Sequence, residues 1–172
     1  MLSAVLNLPI RRRFLVGFLA CAGAMGFALY LEYGRGLDPC PLCVLQRVAM
    51  IAAGLVFLGA ALQDPRGWGR YLYSALAFAA AGVGAAIAGR HVWLQSLPPD
   101  QVPACGPPLE HLMKIMPWRD ALAFVLKGEG SCAAVEGIWL GITLPGWTLI
   151  GFLLVAVWAV YCVLPGRPSI AE

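Results

Sequence analysis

Four stretches of this chain run for roughly the thickness of a bilayer with almost no charge. Phe14 to Leu31 carries none, Val44 to Leu62 is interrupted only near its start by Gln46 and Arg47, Tyr71 to Gly89 has Ser74 as its clearly polar residue, and Gly146 to Leu164 has Thr148. A hydrocarbon core of ~30 Å needs about 20 predominantly apolar helical residues at ~1.5 Å each. Each stretch therefore reads as a transmembrane helix. Composition agrees, because 60% of the 172 residues are hydrophobic and only 12% are charged, about half the ~25% of a soluble domain. Disorder and collagen-like repeats are excluded, and a net charge of +3 makes no phosphate-binding surface for nucleic acid. The expected fold is an all-α membrane protein: a four-transmembrane-helix bundle in a single domain, residues 1–172, with spans at about 14–31, 44–62, 71–89 and 146–164.

Arg11, Arg12 and Arg13 before the first apolar run also describe a signal peptide, and Leu19-Ala20-Cys21 faintly matches a lipoprotein cleavage site. A signal core runs only ~7–15 residues, and here the apolar character continues well past Cys21, so a retained span is expected. Four spans put both termini on one side. Arg11, Arg12, Arg13, Arg66, Arg70 and Arg167 crowd into the short segments 1–13, 63–70 and 165–172, whereas the much longer 32–43 and 90–145 hold Arg35, Arg90, Lys114, Arg119 and Lys127. By the positive-inside rule the termini and the 63–70 turn are cytoplasmic. The other two loops then lie outside.

The inner turn, Gln63 to Arg70, is built of helix breakers with an interfacial Trp68, which makes helices 2 and 3 antiparallel neighbours. Helix 3 offers Ala75, Ala79, Gly82, Gly84, Ala86 and Gly89, small residues that let backbones approach closely in lipid. In the long outer loop, Glu110 to Lys127 mixes apolar and charged residues around Pro117. An amphipathic segment in two short helical pieces lying at the interface is expected; a loop packed on the bundle mouth is the alternative.

Topology sorts the six cysteines. Cys21 and Cys162 fall inside spans, as small apolar packing residues, while Cys40, Cys43, Cys105 and Cys132 fall in the outer loops, facing an oxidising compartment. Cys40-Pro41-Leu42-Cys43 stands where loop 1 enters helix 2. A disulfide across so short a loop constrains little of the unfolded chain, so it is a poor staple. Cys43 at a helix N-terminus, with Arg47 one turn further on the same face, is placed to hold a thiolate. A four-cysteine zinc site is the competing reading, disfavoured by the wide separation of Cys105 and Cys132, and Arg47 alone could be a snorkelling anchor. Cys105 and Cys132 lie in Gly/Pro-rich surroundings that suit attack by another protein's thiolate; a structural staple worth ~3 kcal/mol is the alternative there.

Together these residues resemble the disulfide bond formation protein B (DsbB) family, inner-membrane thiol oxidases of Gram-negative bacteria. The matching motifs are Cys40-Pro41-Leu42-Cys43-Val44-Leu45-Gln46-Arg47, then Arg90-His91-Val92-Trp93-Leu94-Gln95 leading to Cys105, then Gly130-Ser131-Cys132 and Leu144-Pro145-Gly146-Trp147 at the start of the last helix. The resemblance implies redox disulfides Cys40–Cys43 and Cys105–Cys132, with Cys105 attacked by a periplasmic DsbA-like thiol oxidase. It further implies that Cys43 passes electrons to the membrane quinone pool, ubiquinone or menaquinone, with no metal. Arg47 would hold the quinone, and His91 would line the same pocket. The protein would be a multi-pass component of the bacterial inner membrane.

Two other classes remain. A quinone reductase similar to the vitamin K epoxide reductase family would carry its C-x-x-C on a late helix, whereas Cys40 and Cys43 open the second. A non-catalytic tetraspan adaptor, merely stapled by disulfides, would be indifferent to loss of Cys43 or Arg47.

Overall fold

The computed structural model describes residues 8–98, 100–102, 114–115, 117–127, 130–133 and 138–164. Among the described residues four helices are long and apolar enough to cross a membrane: α1 (Ile10–Leu29), α2 (Pro41–Gln63), α3 (Trp68–Gln95) and, after two short helices α4 (Trp118–Lys127) and α5 (Gly130–Ala133), α6 (Leu144–Val163). The fold is an all-α membrane bundle. The first three helices start before the apolar runs that mark them, since a helix continues through polar residues at a span's edge wherever no breaker intervenes. The first also continues beyond its apolar run: Tyr30–Gly34 adds a wider π-type turn, so that Glu32, expected in a loop, is helical.

The turns follow local chemistry. Pro41 occupies the first turn of α2, where its missing N–H costs nothing. Asp64 ends that helix in the left-handed conformation, and Gly67, at φ +59°, opens α3, so the connection is a tight hairpin. Ahead of α6, Ile138–Trp139 and Ile142–Thr143 form a miniature antiparallel hairpin, β1 and β2, turned by Leu140 and Gly141, both at positive φ. The Trp147 indole donates to the Trp139 carbonyl at 3.0 Å, fastening this hairpin to the start of α6.

Helices consecutive in sequence pack side by side, and α6 closes against α3. The buried line on α3 is Ser74, Ala77, Ala81, Gly84, Ala88, His91 and Leu94, spaced three and four apart as one helical face requires. This corrects the expected set of small residues: of those six, only Gly84 is buried, and Gly82 and Gly89 have open space around the place of a β-carbon. The others fall on different faces of the 3.6-residue repeat. Gly84 is where a side chain is forbidden, because a β-carbon there would lie 2.2 Å from the ring of Phe152 on α6.

Helices α1 and α6 touch less and are tied where α1 begins and α6 ends. Arg13, buried in α1, donates through Nη1 to the carbonyls of Tyr161 (3.3 Å) and Leu164 (2.8 Å), and lies over the Tyr161 ring. The Trp158 indole donates back to the Arg13 carbonyl at 2.9 Å. Arg13 thus caps the last carbonyls of α6, which a helix cannot satisfy alone.

Of the amphipathic segment, residues 110–113 and 116 lie outside the described residues. In α4, Val125 is buried and Phe124 half-buried beside Leu42 and Leu94, while Trp118, Leu122 and Leu126 form an exposed apolar line. α4 therefore seats one face on the bundle and presents another apolar face outward.

Gly84→Ala is expected to destabilise the protein by about 1–3 kcal/mol, the usual cost of overpacking, whereas Gly82→Ala is expected to be neutral. Unfolding of the two variants in detergent micelles, followed by helical circular dichroism, checks this.

Candidate active site at the cysteine end of the bundle

At the end of the bundle away from Arg13, the N-terminus of α2 meets the last turns of α1 and α3. Cys40 is the N-cap of α2, and its sulfur accepts a hydrogen bond from the Cys43 amide at 3.4 Å. That capping bond turns Cys40 back over the first helical turn. The two sulfurs consequently stand 3.2 Å apart, in contact and unbonded.

The buried line of α3 includes His91, which the sequence placed only at the outer end of that helix. Its Nε2 is 3.8 Å from the Cys40 sulfur, and its Nδ1 is 4.0 Å from the Cys43 sulfur. Gln46, one turn into α2 from Leu42 and Cys43, is buried and holds Nδ1 at 3.2 Å. Within a nearly apolar bundle such a pair satisfies two polar groups that would otherwise be costly to desolvate. Cys132 is buried in a small cluster with Leu42, Leu94 and Val125, and its backbone is a hydrogen-bonding neighbour of the His91 ring. The structure thus gathers Cys40, Cys43, His91 and Cys132. Cys105 lies outside the described residues.

On the other side of the sulfur pair a cavity of about 270 Å³ opens between α1, α2 and α6. Its walls are mostly apolar, including Met50, Trp147 and Phe152, and its polar groups include Cys43, Gln46 and Arg47. It lies at the end of α1 and the start of α6, away from their Arg13 tie. His91 was expected in the wall of this pocket. It is not among the lining residues and instead stands behind the sulfurs, because α3 packs on the face of α2 away from α1.

Arg47 does not snorkel alone. One terminal nitrogen donates to Glu32 Oε2 and the other to the Ala28 carbonyl at 3.4 Å, and both members of the ion pair are about one-fifth exposed, at 21% each. The wide turn at Tyr30–Gly34 carries Glu32 to this position, as π-type turns often do at functional sites. Sequence reasoning passed over Glu32. Its signal was a lone acid at the end of a charge-free span, in a chain whose next span carries an intramembrane arginine. Gln46 was visible only as a polar interruption.

A dithiol in contact, a buried imidazole against both sulfurs, and an apolar cavity reached by only one of those sulfurs make a site suited to thiol–disulfide chemistry. Comparison with known proteins agrees. The family model "Disulfide bond formation protein DsbB" matches residues 10–162. Proteins named "Disulfide bond formation protein B" are 52% identical in Hahella chejuensis over 143 residues, 83% of this chain and 87% of that protein. In Nitrosococcus oceani the identity is 48% over 152 residues, 88% and 90% of the two chains. In Chromobacterium violaceum it is 48% over 158 residues, 92% and 95%. This multi-pass membrane protein therefore belongs to the disulfide bond formation protein B family.

Proposed function

We propose that the chain is a quinone-linked thiol oxidase that reoxidises a DsbA-like periplasmic partner and so sustains disulfide formation outside the inner membrane. The observation that carries this reading is the position of Cys43, whose side chain belongs both to the sulfur pair and to the wall of the apolar cavity.

The partner's dithiol attacks the Cys105–Cys132 disulfide, with Cys105 in the mixed disulfide, and leaves as a disulfide while Cys105 and Cys132 become thiols. Those thiols then reduce the Cys40–Cys43 disulfide by the same exchange, which returns Cys105–Cys132 to its oxidised form. The burial of Cys132 in the small cluster that Cys40 packs against supports this second exchange. A membrane quinone, when bound, accepts the two electrons and two protons released as the Cys40/Cys43 dithiol closes. The cavity fits a substituted quinone ring, with ubiquinone and menaquinone sharing that feature, and Arg47 and Gln46 supply hydrogen-bond donors among its apolar walls. His91 positions the sulfurs from behind and can carry a proton to or from them. An even number of spans and the basic residues of 1–13, 63–70 and 165–172 support termini in the cytoplasm.

In a protein keeping only Cys40 and Cys43, mild oxidation is expected to close the pair, since the sulfurs need to approach from 3.2 Å to about 2.05 Å; loss of both free thiols by mass spectrometry after alkylation checks it. With reduced DsbA-like partner, the wild-type protein is expected to bleach added quinone and Cys43→Ser to be inactive. Full activity of Cys43→Ser would reject the proposal. Arg47→Ala is expected to raise the KM for quinone about tenfold or more, with less effect on the KM for the partner, because a hydrogen bond to a charged group contributes about 1.5–3 kcal/mol. Arg47→Lys is expected to restore little, lacking the planar fork that engages Glu32 and Ala28 together.

A further inference from the structure

The sulfurs of Cys40 and Cys43 and a ring nitrogen of His91 all lie within 4.8 Å of one another. We propose that in the dithiol state these three residues form a site for a thiophilic divalent cation such as Zn²⁺, and that its binding holds the pair reduced and closed to turnover. The binding stands on geometry alone; its inhibitory consequence rests on the function proposed above. The cation is an inhibitor there, not a cofactor.

Zinc bonds of about 2.3 Å to sulfur and 2.0–2.1 Å to nitrogen, at tetrahedral angles, set ligand separations of about 3.8 Å for two sulfurs and about 3.5 Å for sulfur and nitrogen. The observed separations are 3.2 Å between the sulfurs, 3.8 Å from Cys40 to Nε2 and 4.0 Å from Cys43 to Nδ1. For a single ring nitrogen serving both sulfurs, the three ligand atoms lie within 4.8 Å of one another and must draw in to about 3.5–3.8 Å on binding.

The surroundings fit as well. A ligating histidine is ordinarily oriented by a hydrogen bond to its other nitrogen, and Gln46 lies 3.2 Å from Nδ1. In the neutral ring one nitrogen keeps its proton for a neighbour, Gln46 with its amide turned to present oxygen or the Cys132 backbone, and the other offers its lone pair to the metal in place of the neighbour that faced it. A dication with two thiolates is neutral, which suits a site walled by apolar residues. The nearby Arg47 is already balanced by Glu32 and adds no net opposing charge. Cys40 and Cys43 are half-buried while His91 is buried, so a cation arrives from the sulfur side and meets the imidazole last. Water completes the fourth position. Binding releases one proton for each thiol and moves no electron, and a Cys40–Cys43 disulfide has no thiolate to offer. The site therefore exists only in the reduced protein.

The test uses the full-length protein in detergent with Co²⁺ as the probe. After reduction by a phosphine and its removal, one equivalent of Co²⁺ is expected to give tetrahedral d–d bands and a sulfur-to-cobalt charge-transfer band, both erased by Zn²⁺. The same protein oxidised at Cys40–Cys43 is expected to give neither, a control that needs no variant to fold. The double variant Cys105→Ser/Cys132→Ser is expected to keep the spectrum, and Gln46→Ala to weaken binding about 10–100-fold. Absence of the charge-transfer band in reduced protein would overturn the site, as would a band lost with Cys105 and Cys132 but retained in Cys43→Ser. The spectrum needs neither partner nor quinone. Protein that gives it yet cannot reduce quinone would overturn the proposed function and leave this site standing; a competent oxidase without it would overturn this site alone.

Discussion

Lipid gives helices no hydrophobic reason to associate, so their contacts must come from shape. In this bundle the decisive fit is the ring of Phe152 seated where a side chain on Gly84 would be. It sets how closely α6 approaches α3, and both ends of that contact matter elsewhere. The line of small residues containing Gly84 runs on to His91, under the sulfur pair. Phe152 itself also walls the cavity beside Cys43. Packing and chemistry therefore share residues, and a shift of one helix against the other would change the reach of the imidazole and the width of the cavity together.

The few polar side chains in the membrane-spanning part are placed with similar economy. Ser74 donates to the Ala159 carbonyl, Gln46 meets His91, Arg47 meets Glu32 and Ala28, and Arg13 meets the final carbonyls of α6. Each pairing joins two different helices. In an apolar medium an unmade hydrogen bond is costly, so every such pair selects one arrangement of the bundle over its neighbours. Apolar burial makes the helices insert; these pairs tell them how to face one another.

The four spans were legible because lack of charge is a local property, readable without knowing the neighbours. Cys40 and Cys43 were legible for the same reason, since Pro41 marks a helix start and the spacing to Arg47 is one turn. What escaped were relations between helices. Glu32 meets Arg47 only because α1 ends in a wide turn, and nothing in residues 30–34 announces that geometry. The small residues of α3 were visible as a class, but choosing the buried line among three interleaved ones requires knowing where α2 and α6 lie. His91 illustrates both sides: its level along α3 could be read from sequence, whereas its place behind the sulfurs depended on which face of α2 receives α3. The hairpin before α6 escaped because its strands are two residues each and Leu140 is an unusual choice at positive φ.

Arg13 has a consequence for how the molecule comes into being. Its guanidinium reaches carbonyls at Tyr161 and Leu164, almost the whole length of the described chain away. Chains are made from the N-terminus, and early segments wait for later ones. The first helix thus holds a cation whose protein acceptors on α6 do not exist until the last helix has been synthesised. Assembly order is written into that residue: three helices can gather as they emerge, but the ring is latched only when the final one arrives, and a chain cut short before α6 leaves its opening arginine without the two carbonyls that keep it inside the folded protein.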